Sequence, residues 1–147
     1  MRSVAIACCA VLLVGCKKSE NPPSQTAMAP AAVALSSFAG TWRVHGFNER
    51  GDSLVGYQLT ATADTTGWTI VFPNRSPIAV RIVAVAGDSV VTESGPYESV
   101  LRKGVQVRTR AVLRLQGDKL VGTTVARYAT SGPDSVLHIR SEGTRQP

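Results

Sequence analysis

Residues Val105-Gln106-Val107-Arg108-Thr109-Arg110-Ala111-Val112-Leu113-Arg114-Leu115 alternate almost without a break. Val105, Val107, Thr109, Ala111, Leu113 and Leu115 share one parity; Gln106, Arg108, Arg110, Val112 and Arg114 share the other. Successive side chains of a strand point to opposite faces, so the stretch predicts a β-strand with one face in a core and an arginine-rich face in water.

The sequence on either side repeats this texture. Short runs rich in Val, Ile, Thr and aromatics are cut by Gly-Asp pairs at Gly51-Asp52, Gly87-Asp88 and Gly117-Asp118, and by Pro133-Asp134. Gly accepts positive φ and Asp bonds to the backbone two residues on, so each pair suits a tight turn feeding a strand. Strands are expected at about 40–48, 53–62, 67–73, 78–86, 89–94, 105–115, 119–129 and 135–143, with a helical turn conceivable only over Tyr97 to Lys103. The inward sets are Trp42, Val44 and Gly46; Val55, Tyr57, Leu59 and Ala61; Trp68, Ile70 and Phe72; Ile78, Val80, Ile82 and Ala84; Val90 and Thr92; Leu120, Gly122, Thr124, Ala126 and Tyr128; and Leu137 and Ile139. Short links between all neighbours predict an all-β fold, a single antiparallel up-and-down barrel of about eight strands, with a β-sandwich as the alternative. Arginines on the outward parity oppose a membrane-spanning barrel, whose apolar face would be outside.

Upstream of the barrel domain, taken as residues 38–147, the chain has two further parts. Arg2 followed by the uncharged run Val4 to Val14 reads as an export signal over residues 1–15, too short for a bilayer span of about 20 residues. Leu13-Val14-Gly15-Cys16 resembles the lipobox of bacterial lipoprotein precursors. That resemblance implies cleavage before Cys16, a diacylglycerol on its thiol, and attachment to a cell-envelope membrane. Lys17 in place of the aspartate that retains such proteins at the inner membrane implies the outer membrane. Residues 16–37, with Pro22, Pro23 and Pro30 among Ser, Ala and Gln, read as a flexible tether from the lipidated cysteine. The other cysteines, Cys8 and Cys9, leave with the signal, so no disulfide is expected in the domain.

Phe38-Ala39-Gly40-Thr41-Trp42, at the head of the first strand, is similar to the Gly-x-Trp opening of lipocalins, avidins and related small barrels. The resemblance implies that Gly40 and Trp42 form a barrel-closing signature, with an arginine near the end of the last strand, Arg140 or Arg145, packed over the indole. Only about three residues carry it, and the short link at Glu49 to Asp52 leaves no room for the long first loop of lipocalins, so the relation is architectural.

Two readings of function follow. Outward Arg43, Arg108, Arg110, Arg114, Arg127 and Arg140 lie on strands that are consecutive in a closed meander, and would form a basic docking face for an anionic envelope component or an acidic protein. The formal net charge of +6, about +5 without Arg2, agrees with this. The alternative is a lipocalin-like carrier, with Tyr57, Trp68, Phe72 and Tyr128 lining a cavity for a small apolar ligand and small inward residues leaving it room. Such a carrier needs about 300 Å³ or more; a filled barrel excludes it. His45 and His138 fall on outward parity, and no nucleophile elbow, zinc-protease motif or phosphate loop is present. A non-catalytic module without cofactor or metal is therefore expected. Arg50-Gly51-Asp52 and Asn74-Arg75-Ser76 read as turns. Export and the lack of exposed aromatics among the arginines argue against nucleic acid as a partner.

Overall fold

The alternating stretch forms β6, Gln106–Gln116, with Val107 and Leu113 buried and Arg108, Arg110 and Arg114 exposed. The computed structural model describes residues 33–147. The expected signal at 1–15, the lipid-bearing Cys16 and the tether as far as residue 32 lie outside the described residues. The remaining strands are β1 Gly40–Phe47, β2 Ser53–Ala61, β3 Thr69–Val71, β4 Ile78–Ala86, β5 Ser89–Glu98, β7 Lys119–Tyr128 and β8 Val136–Arg145. Every neighbouring pair is antiparallel and β8 returns to β1, which closes an eight-stranded up-and-down barrel. The turn residues act as their chemistry predicts: Gly51, Gly87 and Gly117 have φ of 87°, 58° and 63°, and Asn74 has 59°. In the Arg50-Gly51-Asp52 turn, the Asn48 side-chain oxygen accepts from the Arg50 and Asp52 N–H groups, each at 2.9 Å.

Three departures from strict alternation have local causes. The β4–β5 register shifts between Ile82 and Ala84, which turns Ala84 outward against Val91 and leaves it exposed, correcting its inward assignment. A second shift, between Ser94 and Tyr97, carries β5 past Gly95-Pro96 to Glu98. Beyond it there is no helical turn: Ser99 Oγ accepts from the Leu101 and Arg102 N–H groups at 3.0 and 3.1 Å and holds an irregular loop over this end of the barrel. Finally β3 is three residues long, and Trp68, just before it, still accepts from the Val80 N–H at 2.9 Å while its indole closes the opposite end, the base.

At the base Phe38, Trp42 and Trp68 are at most 1 % exposed. Phe38 and Trp68 meet at 6.0 Å between ring centroids. The buried indole N–H groups find backbone oxygens: Trp42 donates to Phe38 O at 2.8 Å, and Trp68 donates to Asp64 O at 2.9 Å and Thr62 O at 3.1 Å. Residues 33–37, read from sequence as the end of the tether, belong to this closure, since the Val33 N–H bonds to Gly87 O at 2.7 Å and Val33 and Leu35 pack on the core.

Of the two candidates for the arginine over Trp42, the structure selects Arg145, 4.2 Å from the ring centroid. Its guanidinium also donates to Ser37 O at 2.8 Å and to Ala39 O. Gly40 permits this arrangement, with φ of 133° and a Cβ position that would fall 2.7 Å from Arg145 Nη1. Arg140 instead sits 5.4 Å from the Phe47 ring. Arg145→Ala is expected to lower unfolding free energy by about 1–2 kcal/mol, from a cation–π contact and two partly exposed charged hydrogen bonds. The midpoint of urea unfolding measures it; Arg145→Lys should recover only part, because an ammonium cannot cover the ring and reach both carbonyls.

Candidate functional site

Two concavities offer themselves, one inside the barrel and one outside. The interior cavity is about 70 Å³. Tyr57, Phe72 and Tyr128 line it as expected, but Trp68 does not and is corrected to a base-closing residue. Tyr97, placed from sequence in a possible helical turn, lines it as well, so all three tyrosines of the chain converge here. Phe72 joins the Tyr57 and Tyr97 rings, at 5.5 and 5.9 Å. Hydroxyls of Thr92, Ser94, Thr109, Thr124 and Ser141 share the wall.

The cavity is small because the gaps left by small inward residues are filled by side chains of the neighbouring strands. A Cβ on Gly46 would meet Ile139 Cγ2 at 2.8 Å and Val55 Cγ1 at 3.0 Å; one on Gly143 would meet Val44 Cγ2 at 3.1 Å. Large and small residues thus interlock. Enclosure of the phenol end pushes Tyr57 up to about 12 despite its hydrogen bond to Ser141, and burial likewise raises Tyr97. A phenol whose folded value lies above its unfolded value of 10.0 contributes stability that is complete below pH 10 and is lost as pH rises toward 12. Tyrosinate absorbance is expected to show Tyr57 ionising about two units late, with stability falling by up to about 3 kcal/mol over that window. Tyr57→Phe should remove the late phase.

On the exterior, a groove of about 750 Å³ runs obliquely from the Thr65–Thr69 segment across β4, β5 and β6 to Arg127 on β7. Its basic residues are Arg81, Arg108, Arg110 and Arg127, with Glu93 the one acid among them. Strand register explains the pattern. Arg81, Glu93 and Arg110 lie in one cross-strand row, and the Glu93 oxygens bind Arg81 Nη2 and Arg110 Nη1, each at 2.5 Å. Arg108 and Arg127 oppose each other directly on β6 and β7. Like charges directly opposite weaken a strand pair, and neither has a carboxylate within 4.0 Å among the described residues. Ala79 on β4 and Val125 on β7 add outward apolar side chains at the groove's two sides, while Val80 turns into the core.

The six arginines expected to form one docking face are all exposed, and the four strands that carry them are consecutive, but they do not form a single patch. Arg108, Arg110 and Arg127 share the groove. Arg114 and Arg140 border a second depression with Glu142, which pairs with Arg140 at 3.4 Å. Arg43 lies apart, near Arg75 and Gln58. Arg81 and Glu93 were missed from sequence. Outward parity on β4 and β5 was the available signal, but their place beside Arg110 depends on register. His45 faces Glu142 and His138 faces Val125 across their strand pairs.

No family model matches this chain, and no curated protein or solved structure matches it either.

Proposed function

We propose that this protein is a membrane-anchored, non-catalytic lipoprotein of the bacterial cell envelope, held at the outer membrane by lipid on Cys16. Its barrel stands in water and docks through its basic exterior onto an anionic envelope component. The observation that carries the docking reading is the groove in which four arginines face one carboxylate, with Arg108 and Arg127 opposed and free of acidic partners among the described residues. Such a cost to the β6–β7 pair is understandable if an anion relieves it. Exposed arginines on β6, β7 and β8 favour a barrel surrounded by water. A carrier reading is less favoured, since about 70 Å³ is well below the ~300 Å³ floor of small-molecule pockets.

Mass spectrometry of the mature N-terminus tests the anchor: diacylglyceryl-Cys16 is expected, and an unmodified Cys16 or cleavage elsewhere refutes it. For docking, the full chain in nonionic detergent is titrated with a soluble polyanion such as dextran sulfate. Binding should weaken steeply with salt and collapse when Arg81, Arg108, Arg110 and Arg127 are all changed to Gln. Binding that ignores both changes sinks the reading.

A further inference from the structure

We infer that the exterior groove is a binding site for a phosphate-bearing lipid at the membrane surface, with Arg108 and Arg127 as the two prongs on the phosphate. This deepens the docking reading above and rests on it. Arg108 and Arg127 occupy opposed positions on neighbouring strands, which sets their backbones about 5 Å apart. Two guanidinium forks projecting in parallel from that spacing can grip different oxygens of one phosphate, each through paired N–H donors. Glu93 has both oxygens committed to Arg81 and Arg110. That carboxylate therefore occupies Arg81 and Arg110 and leaves Arg108 and Arg127, at the β6–β7 end of the groove, for the ligand.

The groove's chemistry separates a lipid from a bare anion. Beside the arginines the groove presents the outward side chains Ala79 and Val125, and a volume of about 750 Å³ exceeds what a phosphate ion needs. Just outside the groove, two residues along β5 and β6 from Glu93 and Arg110, the outward side chains Val91 and Val112 pair, and Val112 is 41 % exposed. Cationic forks beside these outward apolar side chains match an amphiphile that carries phosphate at its polar end and acyl carbons next to it. An acidic peptide would offer carboxylates but no tail for the valines.

The test uses the full chain in nonionic detergent and calorimetric titration with short-chain phosphatidic acid, short-chain phosphatidylcholine, inorganic phosphate and a glutamate-rich peptide. Phosphatidic acid is expected to bind about tenfold or more tighter than each of the others, and each of Arg108→Ala and Arg127→Ala should weaken it by about tenfold or more. Arg108→Lys and Arg127→Lys should also lose affinity, because the charge stays but the fork goes. Arg43→Ala, which removes a charge outside the groove, should leave binding unchanged. Inorganic phosphate binding as tightly as the lipid makes this a free-anion site and overturns the inference, as does preference for the peptide. If no short-chain lipid binds while dextran sulfate still does in a salt-sensitive, arginine-dependent way, the lipid site falls and the docking reading stands. Loss of both removes the reading itself.

Discussion

Trp42→Ala is expected to cost about 3–5 kcal/mol of unfolding free energy, the range for deleting a fully buried indole, and to lower the melting midpoint by roughly 10–20 °C. The side chain is 0 % exposed and holds three elements together. Its ring lies under Arg145 from the end of β8, and its N–H bonds to Phe38 O in the segment that crosses the base. Truncation leaves a cavity between them and removes the surface on which the Arg145 guanidinium rests. Because the base also seats Phe38 and Trp68, the hole cannot be filled by a small shift of one side chain. Trp42→Phe separates the contributions: it keeps a ring beneath Arg145 but loses the indole hydrogen bond and some volume, so its cost should be about 1–2 kcal/mol. Chemical denaturation of both variants provides the check, and a loss below about 1 kcal/mol for Trp42→Ala would contradict the closing role assigned to the indole.

How much of this was legible in the sequence depends on which physical rule each residue obeyed. Alternation of period two is a local property, so β6 and the turns at Gly87-Asp88 and Gly117-Asp118 could be read directly. The expected strand set matches the observed one in number and order. Bulges are not local in this sense. Ala84 obeys alternation until the β4–β5 register slips by one residue, and nothing in Ile82-Val83-Ala84 marks that slip. Tyr97 was hidden by Gly95-Pro96, which reads as the end of a strand but here sits within a register shift that lets β5 continue to Glu98.

The site shows the same division. That Arg108, Arg110 and Arg127 point outward follows from parity alone. That Arg108 faces Arg127, or that Glu93 bridges Arg81 and Arg110, follows from which residues are paired across strands, and register is set by the whole barrel. Trp68 was misassigned for a related reason. Its parity is inward, yet the short β3 places it at the base, where its N–H bonds hold the Thr62 to Asp64 backbone instead of lining the interior cavity. A side chain's face is written in the sequence; its height along the barrel is not.

Gly122→Val provides the second large expected effect, and Gly56→Ala is its counterpart on the opposite parity. Gly122 points inward on β7, opposite Leu113. A Cβ there would overlap the Val112 carbonyl oxygen and lie 2.8 Å from Leu113 Cδ2 and 3.2 Å from Leu113 Cα. Two of those three atoms are backbone of the neighbouring strand and cannot rotate away, so β6 and β7 must part locally, breaking ladder hydrogen bonds where the core is tightest. The loss should be about 3 kcal/mol or more, at the upper end for overpacking. Gly56 sits on β2 facing outward, and its Cβ would find the His45 imidazole at 3.7 Å and the Val44 carbonyl oxygen at 3.9 Å, both ordinary contacts. Alanine there also reduces the freedom of the unfolded chain, so Gly56→Ala should change stability by no more than about 0.5–1 kcal/mol, and in the stabilising direction. Side-by-side urea melts measure the pair. Equal losses would mean that the glycines serve some general need of the strands; a large loss at 122 alone means that close approach of β6 and β7, and not an open interior, is what the inward glycine provides. Small inward residues in this barrel are then the means of its closure, which is why their presence in the sequence did not translate into a ligand cavity.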